Sequence, residues 1–273
     1  MADAPAGVAA LFDRVADTYD TVGVEWFGPI GRGLVAELGP TAGERALDIG
    51  CGRGAVLFPL AVAVGTTGRV LGIDLAPRMV ELTAADASGL EQVELRVADA
   101  ASPALLPASF DVVASSLVLF FLPDPAAALR TWANLLVPGG RLGVATFGEQ
   151  DPRWRVLEQL FMPHLPPAML DARTSGRNGP FASDAGVAAL LSGAGLVEVR
   201  TAQLTVTPVF DDPEHWLRFS RSHGQRAMWD AVPADQRDRL LREVVDRLEG
   251  MRDDDGRIRL TQQARYTLGR RPG

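Results

Sequence analysis

Asp48, Asp74 and Asp99 each close a short apolar run: "RALD" at 45–48, "GRVLGID" at 68–74 and "VELRVAD" at 93–99. A carboxylate at such an end can accept charge-assisted hydrogen bonds from hydroxyls or amines, or hold a cation. Beside the first acid lies "ALDIGCGRG" (46–54), with glycines at 50, 52 and 54. Glycine at that density gives up chain entropy, so the backbone must gain an unusual conformation or a close approach to a ligand. The strand 45–49 runs into this turn, and "AVLFPLAVAV" (55–64) can begin a helix behind it. That topology aims backbone N–H groups at a bound molecule.

Two ligand classes compete for the turn. Gly50-x-Gly52-x-x-Ala55, with Asp74 about 20 residues on, satisfies the dinucleotide pattern and implies a nicotinamide-dependent oxidoreductase. Asp48 argues against it, because a carboxylate two residues before Gly50 repels a pyrophosphate in a low-dielectric crevice. S-adenosylmethionine has no phosphate and carries an ammonium and a sulfonium, which the same acid attracts. Asp74 could accept both ribose hydroxyls and Asp99 the adenine amine. For one acid alone, capping of a turn or helix would be the better explanation; three in register at strand ends point to a shared ligand edge.

The elements that position these acids alternate along the chain. Strands are expected at 45–49, 68–75, 93–99, 110–120 and 139–147, and helices at 76–88 and 124–140. The second helix opens on Asp124-Pro125 and is expected to close at Pro138-Gly139-Gly140. Such alternation predicts an α/β fold, a doubly wound, mostly parallel sheet. After Gly148 the rhythm changes. Residues 149–195 read as a helical connection with a Pro- and Gly-broken middle, 196–210 and 256–271 as closing strands of the same sheet, and 211–252 as a helical cap inserted between them. The expected division is therefore 1–148, 149–195 and 196–273.

Net charge is −7, which provides no electrostatic footprint for nucleic acid or an anionic membrane. Arginine carries all the positive side-chain charge, since the chain contains no lysine. The single cysteine, Cys51, permits no internal disulfide, no apolar run reaches membrane-spanning length, and the first residues lack a signal pattern. A cytosolic protein is the expectation, with no metal-ligand spacing and with oligomeric state left open.

In combination, "LFDRVADTYD", "LDIGCGRG", "GIDLAPRMVE", "VADA", "FDVVASSLVLFFLPD" and "LVPGGRLGVATF" resemble the class I S-adenosylmethionine-dependent methyltransferases. The likeness is greatest to the small-molecule branch typified by ubiquinone and menaquinone biosynthesis, and it spans about residues 11–148. It implies a Rossmann-like, seven-stranded sheet with a reversed last hairpin. It also implies cofactor contacts at Asp48, the turn Gly50–Cys51–Gly52, Asp74, Asp99 with Ala100, and Ser116. Leu75 and Met79 would flank the adenine, and Tyr19 would fold over the methionine part. Some carbon-methylating relatives carry a histidine in the stretch matching "LFFLPD" (119–124), where this chain has Phe120 and Phe121. No general base is therefore implied by the resemblance.

Three histidines lie outside the resemblance: His164, His215 and His223. His223 stands among Trp216, Phe219, Arg221 and Trp229, a mixture able to line an apolar pocket, and is the acid/base candidate. The same aromatics at helical spacing are equally an ordinary packed stripe. His215, just behind an Asp-Pro helix start, is expected at the surface. The acceptor expected from this cap is a small, partly apolar metabolite, methylated on oxygen, nitrogen or carbon. A protein that binds the cofactor without transferring methyl is the remaining alternative.

Overall fold

The structure is a computed structural model that describes residues 4–166 and 179–273. The chain enters through α1 (Ala4–Val15) and α2 (Phe27–Leu38). It then alternates through β1 (Arg45–Ile49), α3 (Leu57–Val64), β2 (Arg69–Asp74), α4 (Pro77–Asp86), β3 (Val93–Val97), β4 (Phe110–Ser116), α5 (Pro125–Leu135) and β5 (Leu136–Gln150). Next come α6 (Pro152–Phe161), α7 (Asp184–Gly193), β6 (Val197–Val206) and β7 (Val209–Phe210). The chain ends with α8 (Pro213–Arg221), α9 (Arg226–Asp230), α10 (Arg237–Glu249), β8 (Ile258–Arg259) and β9 (Gln262–Arg270).

Seven strands form one sheet in the order β3-β2-β1-β4-β5-β9-β6. The pairs from β3 through β5 are parallel, and β9 runs antiparallel to both β5 and β6. This is the expected doubly wound α/β sheet with its reversed final strand. Strand β1 pairs with β2 on one side and β4 on the other. The chain therefore winds away from β1 in both directions, and a crevice opens at the carboxyl ends of β1 and β4. Strands β7 and β8 form a separate two-stranded ribbon.

Local chemistry sets the helix starts. The side chains of Asp124, Asp151, Ser183 and Asp212 each accept a first-turn backbone N–H, at α5, α6, α7 and α8 respectively. Three of these helices also place proline in the first turn, where its missing N–H would have no partner in any case. Behind the sheet, β1 is buried from Ala46 to Ile49, so its apolar run is continuous rather than alternating, as for a strand covered on both faces.

Several boundaries differ from expectation: the closing strands expected at 196–210 and 256–271 join the sheet only as β6 and β9, while Val209–Phe210 and Ile258–Arg259 pair apart from it. Helix α5 ends at Leu135, and β5 begins at Leu136, paired with Phe110 before a register shift to Val112↔Arg141. Val137–Gly140 thus belong to an irregular strand start rather than to a helix end; Gly139, at φ +76°, donates its N–H to the Arg271 carbonyl. Strand β4 stops at Ser116 because Leu117 adopts φ +59°, and the chain turns into a single 3-10 turn at Leu119–Phe121. The Pro- and Gly-rich stretch expected in the helical connection lies, at 167–178, outside the described residues. No helix among the described residues is long and apolar enough to cross a membrane.

Candidate active site

The glycine turn is tied to the end of the neighbouring strand. Gly50 and Cys51 both donate their N–H groups to the Ile73 carbonyl, at 2.8 and 2.9 Å. Gly50 adopts φ +72°, and a Cβ there would lie 2.3 Å from Val118 Cγ2, so both conformation and space require glycine. Gly52 donates its N–H to Asp74 Oδ2 at 2.8 Å and accepts from Thr83 Oγ1 at 2.7 Å. Its absent side chain leaves an approach bounded only by Tyr19 Cε1, 4.0 Å from where a Cβ would stand. Cys51 is buried in the turn; burial first, then Asp48 and Asp74, pushes its thiol well up.

The three acids gather at one edge in different states. Asp48 is 1% exposed, and neither carboxyl oxygen has a hydrogen-bond partner. Burial, reinforced by Asp74, raises its pKa to about 8, while the backbone N–H of Leu57 opposes the rise without completing a hydrogen bond. Asp74 accepts from Ala76 N–H (2.9 Å) as well as from Gly52. Burial raises its pKa against the pull of those N–H groups and that of Leu75. Asp99 stands two residues beyond the end of β3 and accepts from Ala101 N–H at 2.8 Å. It caps a turn rather than a helix. Ala100 beside it is buried, its carbonyl pinned by Trp132 Nε1 at 2.7 Å.

Ser116 ends β4 half-buried, next to the left-handed Leu117, whose N–H is held by the Ala145 carbonyl at 2.9 Å. A leucine at positive φ is uncommon, and it carries Val118 onto Gly50. The buried hydroxyl of Ser115 donates to the Ile49 carbonyl at 2.9 Å, locking the ends of β1 and β4 together. Sequence reasoning missed Ser115 and Thr83: both hold backbone atoms of elements remote in the chain, which no local motif reports.

Helix α1 roofs this edge. Asp13 Oδ1 accepts from Arg78 N–H (2.9 Å) at the start of α4, and Asp17 pairs with the Arg78 guanidinium at 2.6 Å. Val15 and Ala16 pack on Ala76 and Met79, so Met79 lies under α1, close to Tyr19. Leu75 remains half-buried between Asp74 and the start of α4. Tyr19 stacks on Phe27 (centroids 4.4 Å apart, planes at 27°) and meets Phe12 edge-on. Burial, with Asp20 and Asp74 near, raises its phenol pKa well above the ordinary value, so it stays protonated.

The same aromatic line continues to His223. Phe27 meets the imidazole edge-on at 5.8 Å, and Phe219 lies 4.4 Å away on its other side. Nδ1 is 2.7 Å from the Phe219 carbonyl, which can only accept. Nδ1 therefore carries the proton, and Nε2 keeps its lone pair. Burial depresses the pKa to about 4 against the raising effect of that carbonyl. His215 is buried, contrary to expectation: Nε2 donates to Val22 O at 2.9 Å and Nδ1 accepts from Asp211 N–H, which fixes α8 to the segment after α1. His164 is half-buried in the 3-10 turn after α6.

The architecture agrees with comparisons to known proteins. Residues 47–144 match the family described as a methyltransferase domain. Nocamycin O-methyltransferase from Saccharothrix syringae is 38% identical over 95% of this chain and 97% of its own. Aklanonic acid methyltransferase from a Streptomyces species is 44% identical over 60% of this chain and 76% of its own. Among solved structures, the YcgJ protein of Bacillus subtilis superposes with a TM-score of 0.59 at 18% identity, covering 89% of this chain and 98% of the other, a likeness of fold. The chain belongs to the S-adenosylmethionine-dependent methyltransferases. The oxidoreductase alternative falls with that assignment.

Proposed function

We propose that this methyltransferase methylates a small, partly apolar secondary metabolite, with the donor held at the glycine turn and the acceptor beneath the helices between β6 and β9. The observation that carries the donor half is Asp48, a buried carboxyl group without a partner, on the strand that leads into a turn where the absent side chain of Gly52 leaves the approach open. Cationic S-adenosylmethionine fits that combination and a diphosphate does not. In this reading Asp48 faces the charged methionine end, Asp74 the ribose, and Asp99 with Ala100 the adenine. Gly50, Cys51 and Gly52 supply the backbone surface, with Leu75, Met79, Tyr19 and Ser116 as the walls. The relatives' names support a natural-product acceptor, and the one that matches over nearly the whole chain is an O-methyltransferase.

When bound, the sulfonium supplies an electrophilic methyl group whose leaving group is a neutral thioether. The chain's own residues then have three tasks. The acids and the glycine turn hold the donor. Tyr19, Phe27 and Phe219 form an aromatic wall that excludes water. His223 Nε2 accepts the proton of a hydroxyl acceptor, its tautomer set by the Phe219 carbonyl. Because burial disfavours the imidazolium, the base is unprotonated over the whole physiological range.

His223→Gln is therefore expected to lower kcat about 100-fold or more while leaving affinity for S-adenosylhomocysteine unchanged. In the unsubstituted enzyme kcat is expected to hold level down to about pH 5 instead of falling near the ordinary histidine pKa. Stopped-time assays that follow a gain of one methyl group by mass spectrometry give both numbers. An undiminished kcat in the variant would remove His223 from the chemistry.

A further inference from the structure

Thr83 is an unusual residue to find inside α4. A β-branched side chain loses rotamer freedom in a helix, and a buried hydroxyl needs a partner. Helical threonines ordinarily find one by donating to the carbonyl four residues back. Thr131 in α5 does this, to Ala127 O at 3.1 Å. Thr83 is 0% exposed, and its hydroxyl instead leaves its own helix and donates to Gly52 O at 2.7 Å, across 31 residues of chain.

The bond falls on the residue of the turn that is hardest to hold. Gly52 adopts φ +48°, and only Tyr19 Cε1, at 4.0 Å, borders the place of its absent side chain. Steric contact therefore does not confine it, and an unconfined glycine visits both signs of φ. Confinement comes instead from hydrogen bonds at the two peptide planes that flank it. The plane before Gly52 is fixed by its N–H, which Asp74 Oδ2 accepts at 2.8 Å. The plane after it is fixed by its carbonyl, through Thr83. No backbone N–H among the described residues reaches that carbonyl, so Thr83 supplies the hold that the turn itself does not.

Both anchors stand on regular elements, Asp74 at the end of β2 and Thr83 within α4. They set φ and ψ of Gly52 from opposite sides. A turn ordered in advance binds without the entropy cost of ordering it at the moment of binding.

We infer that Thr83 is a positioning residue for the methyl donor: its hydroxyl holds the Gly52 carbonyl and so keeps the glycine turn in its receiving conformation before S-adenosylmethionine arrives. The inference rests on the reading of this turn as the donor site, and adds a residue that acts on the donor only through the backbone of Gly52.

The test is calorimetric titration of the full chain with S-adenosylhomocysteine, well below the unfolding midpoint of each variant. Thr83→Val keeps the side-chain shape and removes the hydroxyl. It is expected to weaken binding about five- to tenfold, with a less favourable binding entropy. Thr83→Ser restores the hydroxyl and is expected to bind within about twofold of the parent. Thr131→Val loses a hydroxyl bonded only within its own helix and is expected to bind as the parent does. Should Thr83→Val not fold, Thr83→Ala carries the same expected loss. A lowered unfolding midpoint in Thr83→Val with affinity intact would show a purely structural role and overturn the inference. So would a Thr83→Ser variant as weak as Thr83→Val, or an equal loss in Thr131→Val. Asp74→Ala separates this inference from the donor site itself. If it weakens binding while Thr83→Val does not, only the role of Thr83 falls; if neither alters binding, the reading of the turn falls with it.

Discussion

Asp48→Asn tests the electrostatics of the donor site most directly. The carboxyl is 1% exposed, has no hydrogen-bond partner, and titrates near pH 8 against 3.8 in the unfolded chain. That gap corresponds to about 6 kcal/mol of bias toward the protonated form in the folded protein. Below about pH 4 folded and unfolded chains both hold the proton, and the group adds no pH dependence. Between about 4 and 8 only the folded chain holds it, so stability falls as pH rises. Above 8 both states are ionised and the fall levels off. At pH 7 the accumulated loss is about 4 kcal/mol, and the uncharged amide of the variant is as unpartnered as the protonated carboxyl it replaces, so that cost cancels. The ligand-free variant is therefore expected to be more stable than the parent by about 4 kcal/mol at pH 7 and of about equal stability at pH 4, in urea unfolding.

Binding of the donor is expected to change in the opposite sense. Holding a cation requires the proton to leave Asp48, so affinity of the parent for S-adenosylmethionine should rise about tenfold per pH unit between 5.5 and 7.5. Calorimetry in buffers of different ionisation heat should count about one proton released per ligand bound at pH 6.5. The variant should bind at least tenfold more weakly at pH 7.5, with a flat profile. Parent stability that does not decline between pH 5 and 8, or binding without proton release, would refute the placement of an unpartnered, protonated carboxyl at this edge.

Other perturbations follow from the same geometry. Asp74→Ala removes the acceptor for the Gly52 and Ala76 N–H groups as well as the proposed ribose contact, and should weaken S-adenosylmethionine by about 100- to 1,000-fold in calorimetry, abolishing its thermal-shift stabilisation. Gly50→Ala places a methyl 2.3 Å from Val118 Cγ2 at φ +72° and should destabilise the protein by about 2–5 kcal/mol. Adding Val118→Ala should restore the part due to the clash and leave the part due to φ, as read in denaturant midpoints.

Much of this edge was legible in the sequence because an apolar run followed at once by an acid is a local signal. Asp48 and Asp74 lie on strands that point where their sequences indicate, and the glycines mark the turn between them. What escaped reading depends on contacts between distant segments. The ionisation state of Asp48 follows from complete burial and then from the closeness of Asp74, and the sequence argument treated it as charged. The end of α5 was misplaced because Leu136 pairs with Phe110 across the sheet, and sheet pairing overrides a Pro-Gly-Gly stop signal. The end of β4 was misplaced because an apolar run gives no warning of a left-handed Leu117. His215 looked like a surface residue until the segment after α1 covered it with the Val22 carbonyl.

The two halves of the site use opposite physical means, and the fold explains why they meet where they do. At the ends of β1 and β2 the proposed donor half is polar: acids and backbone N–H groups closed by α1 and the turn after it through Asp13, Asp17 and Arg78. The proposed acceptor half, contributed by chain beyond β5, is aromatic. Joining them is a line of rings, Tyr19 to Phe27 to His223 to Phe219, with centroids 4.4, 5.8 and 4.4 Å apart. Helix α1 touches both halves, since Arg14 pairs with Asp230 of α9 at 3.3 Å and Phe12 packs edge-on to Phe121. Displacement at a sulfonium disperses charge, so a dry aromatic junction favours the transition state without a strong base, and a weakly basic, always unprotonated imidazole suffices there. The low pKa of His223 and the high pKa of Asp48 each have burial away from water as their main cause, and it acts in opposite directions because one group is charged by gaining a proton and the other by losing it.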